Sequence, residues 1–231
     1  MSKIDFKNKT IVISLGGSIL FQDKVNYSFI KNFKKLISRV NKKFVIVIGG
    51  GKPARFYIEG LRKLGKKEKA QSLIGIAVTR FHARYLANYF GVQANIKIPH
   101  NVKDVINLLK KNKIVFCGGL RYKENETSDS AAAKIAKALK CEFINVTNVK
   151  GLYDKDPRKN KDARFIRNIS FIDFYKMASK LKYKPGQHFV LDQHASKIIK
   201  ENKIRTTIIG PSLKNLENCL KGKKFIGTII S

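Results

Sequence analysis

Three short apolar runs in this chain stop on glycine. Thr10–Leu15 runs into Gly16-Gly17-Ser18, Lys43–Ile48 into Gly49-Gly50-Gly51-Lys52, and Ile114–Cys117 into Gly118-Gly119. Such runs, rich in Ile and Val and bounded by glycine, read as buried strands. Glycine at the carboxyl end of a parallel strand lets backbone N–H groups come close to an anion. A helix that starts next adds partial positive charge at the same place. One such cluster is an ordinary turn. Three in one chain, two of them leading into a hydroxyl or a lysine, point to phosphate binding at one edge of a sheet.

The rest of the chain keeps the same rhythm. Further strands are expected at Glu142–Val146, Ile204–Ile209 and Phe225–Ile229. Between the strands lie amphipathic stretches. In 26–40, Phe29, Phe33, Leu36, Ile37 and Val40 share one helical face. Helices are also expected over 52–64, where Pro53 suits a first turn, and over 69–90, 102–110, 128–139, 171–182, 187–202 and 213–220. Strands alternating with helices make an α/β protein. No repeat or linker divides it, and the charged segment 154–163 reads as a loop within one domain of residues 1–231.

Composition removes several classes. A 43% hydrophobic content supports a packed core rather than disorder. No run approaches the roughly 20 apolar residues of a membrane span, and the polar start MSKIDFKNKT has no secretory character. A protein of the cytoplasm, without a membrane partner, is expected. Cys117, Cys141 and Cys219 form no CxxC and read as free thiols. His82, His100, His188 and His194 lack ligand spacing, and no residue is singled out as a protein metal ligand. The 48 Lys and Arg against 16 Asp and Glu give a net charge of +32. These cations are spread along the whole length. They read as a lysine-rich surface that attracts acidic ligands such as nucleotides, not as a specific nucleic-acid site.

Among phosphate-binding patterns, GxxxxGK[ST] and GxGxxG are both missing, which sets aside P-loop and dinucleotide-binding proteins. No GxSxG points to hydrolase chemistry. The order SLGGSIL, VIGGGKPARFYIEG, IGIAVTRFHARYLANYF, IVFCGGL, TSDSAAAKIAKAL, FINVTNVKGLYDKDP and LDQHASKIIKENKIRTTIIG resembles the amino acid kinase superfamily, and within it the archaeal-type uridylate kinases. The resemblance covers nearly the whole chain, and GGGKxAR followed by TNVxGxYxxDP is its most specific part.

The resemblance implies an αβα sandwich with a mainly parallel central sheet. It implies an acceptor-binding lobe over about 1–140 and an ATP-binding lobe over about 141–231. The implied reaction moves the γ-phosphoryl group of Mg-ATP to UMP, in a homo-oligomer that is a hexamer in this family. By the same resemblance, Ser14, Leu15, Gly16, Gly17 and Ser18 line the path of the phosphoryl group, with Gly16, Gly17 and Ser18 acting in catalysis. Gly50 contacts the acceptor and Gly51 the ATP, while Arg55 contacts phosphate, a task that suits its planar fork. Thr127 and Ser128 hold the acceptor's phosphate, although Thr127, Ser128 or Asp129 also read as a local helix cap. Thr147, Asn148, Tyr153 and Asp156 match adenine-nucleotide residues, with Tyr153 equally readable as core. Lys197 matches a basic residue facing the ATP phosphates.

Several positions depart from the family pattern. Ser14 stands where many members carry lysine, leaving Mg²⁺ and other cations, Lys52 among them, to neutralise charge. Ser72 replaces an aspartate that holds the acceptor's ribose, the loop LRYKENE is long and charged, and Lys150 and DQHA alter two ATP-side motifs. The acceptor therefore stays open at this level between UMP, isopentenyl phosphate and aminomethyl-furanmethanol phosphate, as does a non-catalytic nucleotide-binding relative. Gly17→Val is expected to block the phosphate path with the fold intact.

Overall fold

The computed structural model describes residues 9–124, 126–180 and 190–231. In chain order its strands are β1 (Thr10–Leu15), β2 (Lys43–Ile48), β3 (Ile114–Cys117), β4 (Glu142–Val146), β5 (Leu152–Tyr153), β6 (Phe165–Ile166), β7 (Asn168–Ile169), β8 (Thr206–Ile209) and β9 (Gly227–Ile230). Its α-helices are α1 (Gly17–Leu20), α2 (Tyr27–Arg39), α3 (Gly51–Lys63), α4 (Glu68–Phe90), α5 (Val102–Lys111), α6 (Ser128–Leu139), α7 (Phe171–Ser179), α8 (Gln193–Glu201) and α9 (Leu213–Leu220).

Seven strands form one sheet in the order β3-β2-β1-β4-β8-β9-β7. Every pair in it is parallel except β8 with β9. The two-residue side-chain period then sorts the core into two layers. Ile11, Ile13, Leu15, Phe44, Ile46, Ile48 and Phe116 face α2, α4 and α9. Val12, Val45, Val47, Val115, Cys117 and Phe143 face α5, α6 and α8. A sheet covered on both faces needs this near-continuous apolar sequence. The alternation also turns Ser14, the residue two after Val12, toward α6.

The expected strands and helices form, and side-chain caps set the starts of α2, α5, α6, α7, α8 and α9. Asp192 accepts a hydrogen bond from Ala195 N at 2.8 Å, so α8 starts at Gln193 rather than 187. Residues 187–189 of that expected helix, and 181–182 of the helix ending in α7, lie outside the described residues. Thr127 caps α6, accepting from Asp129 N at 3.0 Å. The charged loop 154–163 is bracketed by the antiparallel pair β5–β6, too short to be seen in the sequence pattern. The four-residue α1 is likewise too short for a periodic signal. Cys117 and Cys141 are free and buried, Cys219 is free and half-buried. Burial pushes the Cys117 and Cys141 thiols up to about 12, so they pack as small apolar groups. Among the described residues no helix is long and apolar enough to cross a membrane.

Candidate active site

All three glycine clusters end strands of the parallel part of the sheet, and all three open on one cleft of about 570 Å³. Parallel sheets place ligands at the carboxyl ends of their strands because the helix amino ends gather there. Here α1, α3, α6 and α8 all begin at residues that line the cleft. The first N–H groups of a helix have no intrahelical acceptor, so this wall favours anions.

The first two clusters touch each other through backbone. Gly49 N donates to Leu15 O at 3.0 Å, while Gly16 N donates to Val146 O at the end of β4 at 3.0 Å. A Cβ on Gly17 would lie 2.3 Å from Gly51 N and 2.4 Å from Gly49 O. Gly51 holds φ +61, in the left-handed region that glycine occupies freely, and a Cβ there would meet Phe21 O at 2.5 Å. Glycine is required because two strand-to-helix turns share one space. Gly50 packs against Ala54, where an added Cβ would come within 2.3 Å of the alanine methyl.

Ser14, Gly16, Gly17, Ser18, Gly50, Gly51, Arg55, Ser72, Thr127, Ser128, Thr147, Asn148 and Lys197 are brought together on this cleft. Arg55 Nη1 donates to Ser18 Oγ at 3.3 Å, and burial lowers the guanidinium's affinity for its proton. Lys197 reaches the rim and lies 3.9 Å from Glu201. Four other expected residues do not line it. Leu15 is fully buried in the core. Lys52 turns outward and pairs with Asp23 on the exposed surface. Tyr153 packs edge-on against Phe165, centroids 5.4 Å apart. Asp156 binds Arg158 through Nε at 3.0 Å and Nη2 at 3.1 Å, and those hydrogen bonds hold its carboxyl below the usual range.

Residues 9–210 match the model of the amino acid kinase family. The uridylate kinase of Thermoplasma volcanium is 35% identical over 225 residues, covering 96% of this chain and 98% of the relative. That of Archaeoglobus fulgidus is 36% identical, covering 96% and 99%. The crystal structure of uridylate kinase from A. fulgidus superposes with a TM-score of 0.82 at 34% identity over 96% of this chain and 99% of that one. The chain belongs to the amino acid kinase family. The UMP kinase of Ureaplasma parvum, at 23% identity and a TM-score of 0.77, shares the fold over 96% of this chain and 98% of that one.

This amino acid kinase also places acidic groups on the cleft that its sequence motifs did not single out for chemistry. Ser14 Oγ donates to Asp129 Oδ1 at 2.6 Å across 115 residues of chain. Burial, then the nearby Asp192 charge, pushes the Asp129 carboxyl up to about 7 against the pull of that hydrogen bond. Asp192 accepts from Thr127 Oγ and from Ser130 Oγ at 2.9 Å, which ties the α6 and α8 starts together. Glu126 pairs with Lys134 and lies 3.3 Å from His194 Nε2. In the long loop, Arg121 and Lys123 face the cleft with Arg55 and Lys197. Asp129 carries one local signal, its place in the first turn of an alanine-rich helix. That signal equally fits a cap.

Proposed function

We propose that the protein is a UMP kinase of the cytoplasm, transferring the γ-phosphoryl group of Mg-ATP to UMP to give UDP and ADP for pyrimidine nucleotide (CTP) synthesis. The observation that carries this reading is the backbone contact between the first two glycine clusters beneath four helix amino ends. The phosphate oxygen of UMP attacks γ-phosphorus, the bond to the β-bridging oxygen breaks, and ADP leaves. Such transfer is accelerated by positioning and by donors aimed at the equatorial oxygens. Gly17 and Ser18 offer those donors, while Gly16, whose N–H is taken by Val146 O, shapes the turn. Thr127 and Ser128 hold the acceptor phosphate, Arg55 contacts the ATP phosphates, and Thr147 and Asn148 face the adenine nucleotide. The acceptor lies on the side of residues 1–140 and ATP on the side of 141–231, across one continuous sheet.

Among the described residues no three His, Cys, Asp or Glu gather into a metal cage. A magnesium ion fits this site, because it keeps phosphate and water ligands and needs only one or two carboxylates. Asp129, which lines the cleft, is the hard oxygen donor in place for it. Bound Mg²⁺ supplies neutralisation of phosphate charge, the task that Lys52, paired outside the cleft, is not placed to do.

The test is ADP release from Mg-ATP with UMP, CMP, dUMP, AMP, GMP and isopentenyl phosphate. UMP is expected to be turned over fastest. A preferred acceptor other than UMP would replace the substrate and keep the ATP site. A homo-oligomer, hexameric as in the family, is part of this reading. Phe81, Tyr85 and Tyr89 recur every four residues along α4 and are exposed, beside exposed Phe56 and Tyr57 of α3. Sedimentation velocity should give a mass several times 26.2 kDa. A monomer at micromolar concentration would remove the oligomer from the proposal.

A further inference from the structure

Helix α4 turns polar side chains toward the glycine clusters. Thr79 Oγ1 accepts from Gly119 N at 2.8 Å, and Arg80 donates to Gly119 O and Leu120 O, both at 2.9 Å. These contacts hold the third cluster. Nearby, His82 reaches the second: its Nδ1 lies 3.2 Å from Gly49 O, and the residue is only 3% exposed. A carbonyl oxygen only accepts, so Nδ1 carries the proton. The imidazole also stacks on Phe21, with centroids 3.7 Å apart and planes at 15°.

Phe21 in turn joins the first two clusters. Its N–H donates to Gly17 O at 2.7 Å, and its carbonyl accepts from Lys52 N at 3.1 Å. The glycines of the clusters have no side chains to fix the turns. A Cβ on Gly49 would lie 2.7 Å from Gly17 N, itself too close for any side chain. Beyond the Gly49–Leu15 backbone bond and the Arg55–Ser18 contact, support comes from α4, where His82 is placed to give it to both turns at once.

We propose that His82 is a positioning residue for phosphoryl transfer: through its bond to Gly49 O and its stack on Phe21 it sets the Gly49-Gly50-Gly51 turn against Gly16-Gly17-Ser18. The inference rests on the reading of these turns as the phosphate channel. Burial holds the imidazole below its ordinary pKa, outweighing the opposing effect of the Gly49 bond, so the ring stays neutral near pH 7. A histidine that merely filled the core would alter stability alone. One that aligns the turns alters kcat.

His82→Phe keeps a ring against Phe21 and removes the donor. His82→Asn keeps an N–H near the place of Nδ1 and gives up much of the ring. His82→Phe is expected to lose about tenfold in kcat, with KM for both nucleotides within about twofold, as a misplaced turn weakens the transition state more than the ground state. His82→Asn should recover most of that kcat while melting at a lower temperature, so that activity and stability rank the two variants in opposite order. Wild-type kcat in His82→Phe, or no recovery in His82→Asn, overturns the proposal. Selective ¹⁵N-histidine NMR of the unsubstituted protein tests it without a variant: Nδ1 should be protonated, and an Nε2–H tautomer sinks it. Arg55→Ala is the control on the underlying reading. It should raise KM for ATP at least tenfold, and if it leaves kinetics unchanged the channel assignment fails, whatever His82 does.

Discussion

Gly17→Val is expected to have no useful phosphoryl transfer and to unfold earlier than the unsubstituted protein. The sequence alone suggests a blocked channel in an intact fold. The structure changes the reason. A Cβ on Gly17 meets Gly51 N at 2.3 Å and Gly49 O at 2.4 Å, all backbone that no rotamer can relieve. The two turns must separate. Overpacking of this kind destabilises by about 3 kcal/mol, which lowers the melting temperature by roughly 10 °C in a chain of this size. Moving either turn by about 1 Å should cost at least ~10² in kcat, since the proposed phosphate donors would no longer converge. The clash is at Cβ, so Gly17→Ala should be impaired nearly as much as Gly17→Val. An alanine variant with normal kcat and melting temperature would mean that the turns do not meet as described.

Asp129→Asn is expected to exchange activity for stability. The carboxyl is neutral below about pH 4 in the folded and unfolded chain alike. As pH rises from there to about 7, the unfolded chain releases its proton while the folded protein keeps it, so folding is progressively disfavoured. Above about 7 the folded carboxyl ionises too, and the penalty stays constant. A rise from 3.8 to about 7 corresponds to at most ~4 kcal/mol, and because the side chain is only part-buried the expected penalty is about 2 kcal/mol. The asparagine amide oxygen would keep the Ser14 hydrogen bond without the charge. The variant should therefore match the unsubstituted protein at pH 4 and be about 2 kcal/mol more stable at pH 8, read from urea unfolding at both. On the proposed role of Asp129 as the carboxylate donor for magnesium, turnover should fall at least ~10-fold. A stability gain that is the same at both pH values would remove the charge from the explanation.

The elements that make the fold were legible because their causes are local. β1, β2, β3 and β4 are continuous Ile, Val and Phe runs that end on turn residues, and their bounds agree between sequence and structure. Thr127 and Ser212 announce α6 and α9 as ordinary caps do. The pairs β5–β6 and β7–β9 involve two residues a side, too few for any periodic signal.

The glycine turns could be placed at one edge of the sheet from the chain alone, since a glycine-ended parallel strand leaves few other options. What those turns touch could not. Lys52 and Lys197 are both plausible phosphate ligands in the sequence, yet Lys52 finds Asp23 on the outer surface and only Lys197 reaches the rim. Ser14 and Asp129 meet across 115 residues because strand alternation aims one at the helix that carries the other. His82 reaches Gly49 because α4 packs under a backbone bare of Cβ atoms. The sequence by itself determined the longer strands, the glycine turns and the family. The tertiary structure decided which charges face the cleft, since a side chain's partner depends on packing between segments that no local pattern relates.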